Sequence, residues 1–173
     1  ESEGLARPSD PSIAETDTII PGLPNAPDIK IRIYTPNNLP SPAPAYINFH
    51  GGGFIFGDLD SEHARTLAIS KGCQAIAITV DYRLAPEHPY PAAIDDCYAS
   101  LIWLVNNAEN IGIDTSRIVV GGGSAGGNLA ASVALMARDK HGPSICYQML
   151  IYPALDDRAN TQSMLHGENT YVI

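Results

Sequence analysis

Basic residues are scarce: 10 Lys and Arg stand against 19 Asp and Glu among 173 residues, a formal charge of −9, and no stretch gathers positive side chains together. A surface of that sign repels a phosphate backbone and an anionic lipid headgroup layer, which sets aside nucleic acid and charge-driven membrane binding. Cysteine is scarcer still. Cys73, Cys97 and Cys146 are odd in number, widely spaced, and each in or beside an apolar segment. They form neither a disulfide scaffold nor a C-x-x-C redox or zinc site, and the expectation is three buried free thiols in a reducing, cytoplasmic compartment. Glu1-Ser-Glu-Gly4 lacks the basic stretch and apolar run of a signal peptide, and no transmembrane helix is legible, so no membrane insertion is expected. Internal repeats and low-complexity tracts are also missing. What is present is a chain with 45% hydrophobic residues, the composition of an ordinary globular protein long enough to bury a core.

The most informative stretch centres on Ser124. Arg117-Ile-Val-Val-Gly-Gly-Gly-Ser-Ala-Gly-Gly-Asn-Leu-Ala-Ala131 begins as a β-branched apolar run, breaks on three glycines, and resumes as a small-residue helical pattern. It contains G-x-S-x-G as Gly122-Gly123-Ser124-Ala125-Gly126. In a strand-turn-helix elbow the serine occupies a tight turn, and glycines are required where a Cβ would strike the neighbouring strand and helix. A helix over 125–140 would aim its unpaired N–H groups at a developing oxyanion, which is the logic of acyl transfer. Glycine-rich strand ends also serve packing turns and phosphate loops, but no Lys-Ser/Thr pair completes a P-loop here.

Along the chain, residues 1–17 read as a polar arm or partial helix. Strands are expected over 18–20 and 29–34 as an antiparallel pair, followed by a Pro-rich surface loop over 36–44. A third strand over 45–49 runs into His50-Gly-Gly-Gly53-Phe-Ile-Phe-Gly57, whose glycines let the backbone approach a ligand and gather N–H groups into one concavity. His50 reads as a residue that orients this loop rather than as a general base. Asp60-Ser61-Glu62 supplies an N-cap and an acidic first turn for a helix running to about Lys71 and stopped by Gly72. The almost wholly apolar run 75–80 reads as a parallel central strand buried on both faces. After it comes a proline-stiffened loop in which Arg83 and Glu87 are placed to pair and His88 is a loop residue. Pro91 opens a helix with an apolar stripe of Ile94, Cys97, Tyr98, Leu101, Leu104 and Val105, leaving Trp103 exposed. A last strand is expected over 145–152. Strands alternating with helices make a mostly parallel α/β sheet with helices on both faces.

His50-Gly-Gly-Gly53, Asp81-Tyr-Arg-Leu-Ala-Pro-Glu-His-Pro-Tyr-Pro-Ala92 and Gly122-x-Ser-Ala-Gly-Gly-Asn-Leu-Ala130, in this order, resemble the hormone-sensitive-lipase-like carboxylesterases of the α/β-hydrolase superfamily. The resemblance runs from about Thr18 to Asp157. It implies an α/β-hydrolase core over 18–153, a cap to which 1–17 and 154–173 would belong, and hydrolysis of short to medium acyl esters without a cofactor. By position it makes Ser124 the nucleophile, puts the oxyanion hole at the N–H groups of Gly52, Gly53 and Ala125, and leaves His50 and Gly51 to orient the loop.

The chain departs from this family's pattern at two places. Gly123 stands where the family usually carries Asp, and the family's triad Asp and His lie on loops after later strands, with no corresponding position here. Asp156 or Asp157 followed by His166 preserves the order Ser, acid, His and offers a substitute pair; the alternative is a turn cap and a cap-segment residue. The final strand would be a bare apolar edge, so the sheet is expected to be truncated after about the sixth strand and completed by a C-terminal segment or second chain. Two other readings stay open: a small-ligand-binding, receptor-like member of the same fold, and an inert fragment.

Overall fold

The computed structural model describes residues 7–158, 160–162 and 165. Six strands form one sheet: β1 (Ile13–Ile20), β2 (Ile29–Pro36), β3 (Ala43–Phe49), β4 (Ile76–Asp81), β5 (Ile113–Gly123) and β6 (Tyr147–Ile151). Among the described residues the helices accompanying them are α1 (His63–Cys73), α2 (Ala92–Asn106), the single turn α3 (Ala108–Ile111), and α4 (Ala125–Asp139). The strand order is β1-β2-β4-β3-β5-β6. β1, β2 and β4 pair antiparallel, while β4, β3, β5 and β6 run parallel.

Because side chains alternate across a strand, adjacent residues face opposite layers. Ile47, Ile78 and Val120 join Cys97, Leu101 and Leu104 of α2 and Leu129 and Val133 of α4 in the main core. Their neighbours Tyr46, Ala77 and Val119 pack instead with Leu67 of α1. The sheet is thus sandwiched, with α1 on one face and α2 and α4 on the other. β4 is buried along both faces, as its apolar run requires.

Several local expectations are corrected. The polar arm is already strand from Ile13, because its alternating residues pair with β2 over the full length of that strand. Pro44 lies within β3 at a register irregularity between Ala43 and Ala45, where a residue without an N–H breaks no ladder bond. Asp60 and Ser61 do not cap α1, which begins after Glu62. Asp58 instead closes the preceding turn on the Ser61 hydroxyl and amide. Gly72 remains helical, and the left-handed stop is Gln74 at φ 49°. Arg83 pairs with Asp96 rather than Glu87, in a two-pronged bridge of 2.9 and 2.7 Å. Trp103 is half-buried against the core. Of the three thiols only Cys97 is buried, since Cys73 and Cys146 fall at element ends that face solvent.

Candidate active site at the β5–α4 elbow

The parallel pairing of β3 with β5 sets Phe49 beside Gly122, so both strands end together and their following loops meet. A side chain on either motif glycine would collide with backbone there. A β-carbon on Gly122 would fall 2.2 Å from the Phe49 carbonyl oxygen, and one on Gly126 would fall 2.6 Å from the His50 oxygen. Close approach of α4 to the end of β3 is therefore the reason for the G-x-S-x-G spacing. Ser124 sits at the turn with φ 54° and ψ −119°, a region an L-residue seldom occupies, and is half-buried. Its own N–H donates to the Ile151 carbonyl at 3.0 Å, which ties the elbow to β6.

The glycine loop lies against this turn. Gly52 and Gly53 hold φ of 122° and 60°, which glycine adopts without strain. Their N–H groups, like that of Ala125 at the start of α4, have no partner among the described residues. Gly51 differs, because its N–H donates to Glu62 Oε1 at 3.2 Å. His50 is fully buried, its ring stacked on Tyr82 at 4.1 Å, with Nδ1 2.8 Å from the Gly51 carbonyl oxygen. The Tyr82 hydroxyl donates to the His50 carbonyl at 2.7 Å, and the Ala85 N–H donates to the Phe54 carbonyl at 2.9 Å. Burial pushes the Tyr82 phenol far up, which keeps it a neutral donor. The histidine and the tyrosine brace the loop from below; neither reaches out of it. Phe54 turns its ring toward an apolar cavity of about 300 Å³ shared with Ile94, Leu129 and Tyr90, whereas Phe56 is exposed.

The structure thus brings His50, Gly51, Gly52, Gly53, Ser124 and Ala125 to one end of the sheet. Of the substitute acids, Asp156 has both carboxylate oxygens engaged by Arg158, at 2.8 and 2.6 Å, and Asp157 is exposed. His166 lies outside the described residues. Two residues are not assigned to the site by the sequence: Asn48, and Glu62, which reads there only as part of a helix cap. Asn48 is fully buried in an apolar strand and donates to Glu62 Oε2 at 3.0 Å, and Glu62 carries that bond on to the glycine loop. The available signal was the amide itself, a polar residue in the otherwise apolar run 45–49 that must find a partner.

A profile of the alpha/beta hydrolase fold family matches residues 46–173. The chain belongs to that family. Its resemblance to the hormone-sensitive-lipase-like carboxylesterases is borne out by relatives within the family. One, Carboxylesterase NlhH of Mycobacterium tuberculosis, is 49% identical over 126 residues, covering 73% of this chain and 40% of that protein. Esterase LipI of the same organism is 46% identical over 150 residues, 86% of this chain and 46% of its own length. Among solved alpha/beta hydrolases, Bacterial Heroin Esterase superposes with a TM-score of 0.90 at 41% identity, covering 93% of this chain and 51% of the other. The chain therefore spans about half or less of the length of these family members. Among the described residues, no helix is long and apolar enough to cross a membrane.

Proposed function

We propose that this chain carries the nucleophile and oxyanion hole of a serine carboxylesterase acting on short to medium acyl esters. The observation behind the reading is the pairing of a strained, half-buried Ser124 with unpartnered amides at Gly52, Gly53 and Ala125. Ser124 Oγ adds to the ester carbonyl carbon and gives up its proton to a base, while the carbonyl oxygen takes the negative charge and is met by the three N–H groups. Collapse of this adduct breaks the bond to the alcohol, which leaves with a proton, and the acyl group stays on Ser124. Water then adds to the acyl carbonyl carbon and gives one proton to the base; collapse of this second adduct breaks the bond to Ser124 Oγ, which takes that proton back, and the carboxylic acid leaves. No cofactor is needed. The apolar cavity beside Phe54 suits the hydrocarbon part of such an ester.

The triad acid and base are proposed to come from a further segment or second chain completing the sheet beside β6. Two facts support it: the relatives are about twice as long, and β6 has no outer neighbour among the described residues, with Tyr147 65% exposed. Intact-mass spectrometry before and after a fluorophosphonate probe tests the reading, with Ser124→Ala as control. One adduct on this chain, lost in the variant, is expected once the completing segment is present. Absence of an adduct from that assembly, with saturable binding of a small ester analogue and no turnover, would replace the esterase by a ligand-binding member of the fold.

A further inference from the structure

Beneath the glycine loop runs a chain of polar contacts that the reaction above does not use. The Tyr46 hydroxyl donates to Asn48 Oδ1 at 2.9 Å, Asn48 Nδ2 to Glu62 Oε2 at 3.0 Å, and the Gly51 N–H to Glu62 Oε1 at 3.2 Å. Glu62 also forms an ion pair with Arg65, one turn along α1. The Arg65 guanidinium in turn lies 3.3 Å from where a side chain on Gly123 would begin, against the residue preceding the candidate nucleophile. Tyr46 and Asn48 are buried, and the Glu62 side chain is only 14% exposed, so each bond is worth more than its surface equivalent and each loss leaves a buried group unpaired.

From this geometry we infer that Glu62 is a positioning residue: its carboxylate fixes the first amide of the glycine loop and thereby sets where the amides of Gly52 and Gly53 point, with Arg65 compensating its charge. The inference rests on the esterase reading for its catalytic meaning. Its structural content stands on the contacts alone. Gly51 is removed from the set of oxyanion donors because its N–H is already engaged. A carboxylate near an oxyanion site would otherwise oppose the charge developing there, and the Arg65 guanidinium offsets that field while bridging α1 to the Gly123 side of the elbow. The empty position at Gly123 is what gives the guanidinium its room.

Glu62→Gln, and the swap combining Asn48→Asp with Glu62→Gln, test this. In the single variant the new amide can still accept from Gly51 but faces the Asn48 amide donor with a donor of its own. The swap restores a donor-acceptor match across positions 48 and 62. Amide hydrogen exchange on the protein is expected to rise about tenfold over residues 50–57 in the single variant, with β5 and α4 unchanged, and to return in the swap. In the assembly that labels Ser124, the phosphonylation rate should fall by about ten- to a hundredfold in Glu62→Gln and recover in the swap, with affinity for a neutral ester little altered. Unchanged exchange and labelling in Glu62→Gln would overturn the inference. So would loosening of the whole chain that the swap does not repair, since that marks a purely structural residue. Failure of the wild-type assembly to label Ser124 would sink the esterase reading, while the exchange comparison would still decide the role of Glu62.

Discussion

A β-carbon on Gly126 would stand 1.9 Å from the carbonyl oxygen of Phe49, so helix α4 and strand β3 touch backbone to backbone at the elbow. Neither partner is a flexible side chain, and relief requires the helix to move off the sheet. Gly126→Ala should therefore destabilise the protein by about 3 kcal/mol, read as a lower urea midpoint. Gly72 offers the contrast. It is helical, at ordinary φ, and among the described residues nothing lies within 4 Å of an added β-carbon. Gly72→Ala should raise stability by about 0.5–1 kcal/mol, because alanine loses less backbone freedom on entering a helix. One substitution chemistry gives opposite signs at two sites, decided by what surrounds the backbone.

Arg32 supplies a pH dependence. Its side chain is 9% exposed, and it donates to Asp17 at 2.6 Å and to Asp60 at 2.5 Å. Those hydrogen bonds hold both carboxyls below the usual carboxylate range. A carboxyl whose folded pKa is depressed adds stability above its unfolded value, near 4, and loses it as the pH drops through the folded value. Arg32→Met should cost about 2 kcal/mol at neutral pH, and the gap from wild type should narrow as the pH falls from about 5 toward 2. A gap of constant size across that range in urea titrations would mean that Arg32 acts through packing alone.

The parallel core, the elbow and the glycine loop were legible because their signals are local. Close glycines, β-branched runs and a helix of small residues each state their own backbone requirement. What escaped was set by partners distant in sequence. Arg83 has a carboxylate four residues away in Glu87, yet it bonds Asp96, because α2 folds back under the loop and offers a nearly buried acid. Asn48 and Glu62 are fourteen positions apart, and nothing in either neighbourhood announces the other. Cys73 and Cys146 sit beside apolar residues but at element ends, where sequence proximity to a core does not amount to burial in it. The strand start at Ile13 was hidden by polar residues that face solvent on an edge strand, a place where the alternation carries little apolar weight.

Those thiols can be told apart by chemistry. Cys97 is fully buried, and burial pushes its thiol well above the ordinary range, so little thiolate forms at neutral pH. Cys73 and Cys146 are exposed. Titration with a maleimide at neutral pH should modify Cys73 and Cys146 in the native protein within minutes, with Cys97 reacting only when urea unfolds the core. Equal native reactivity of all three, read by peptide mapping, would contradict the packing of α2 on the sheet.

Ser124 carries the last prediction. At φ 54° and ψ −119° its β-carbon is held where L-residues are strained by about 1–3 kcal/mol, and the surrounding bonds hold it there: its N–H donates to Ile151, and its carbonyl accepts from Asn128 and Ala154. Ser124→Gly removes the strain but restores about 0.5–1 kcal/mol of unfolded-state freedom, so the net expected gain is about 1 kcal/mol. Ser124→Ala keeps the β-carbon, and with it the strain, and should leave stability within about 0.5 kcal/mol of wild type. Urea midpoints of the three proteins separate the terms. If glycine proves no more stable than alanine, the turn is relaxed and the serine stays in place without stored strain. If glycine is the more stable, residue 124 is held against its own backbone preference, a cost that an exposed packing turn has no reason to carry and a presented nucleophile does.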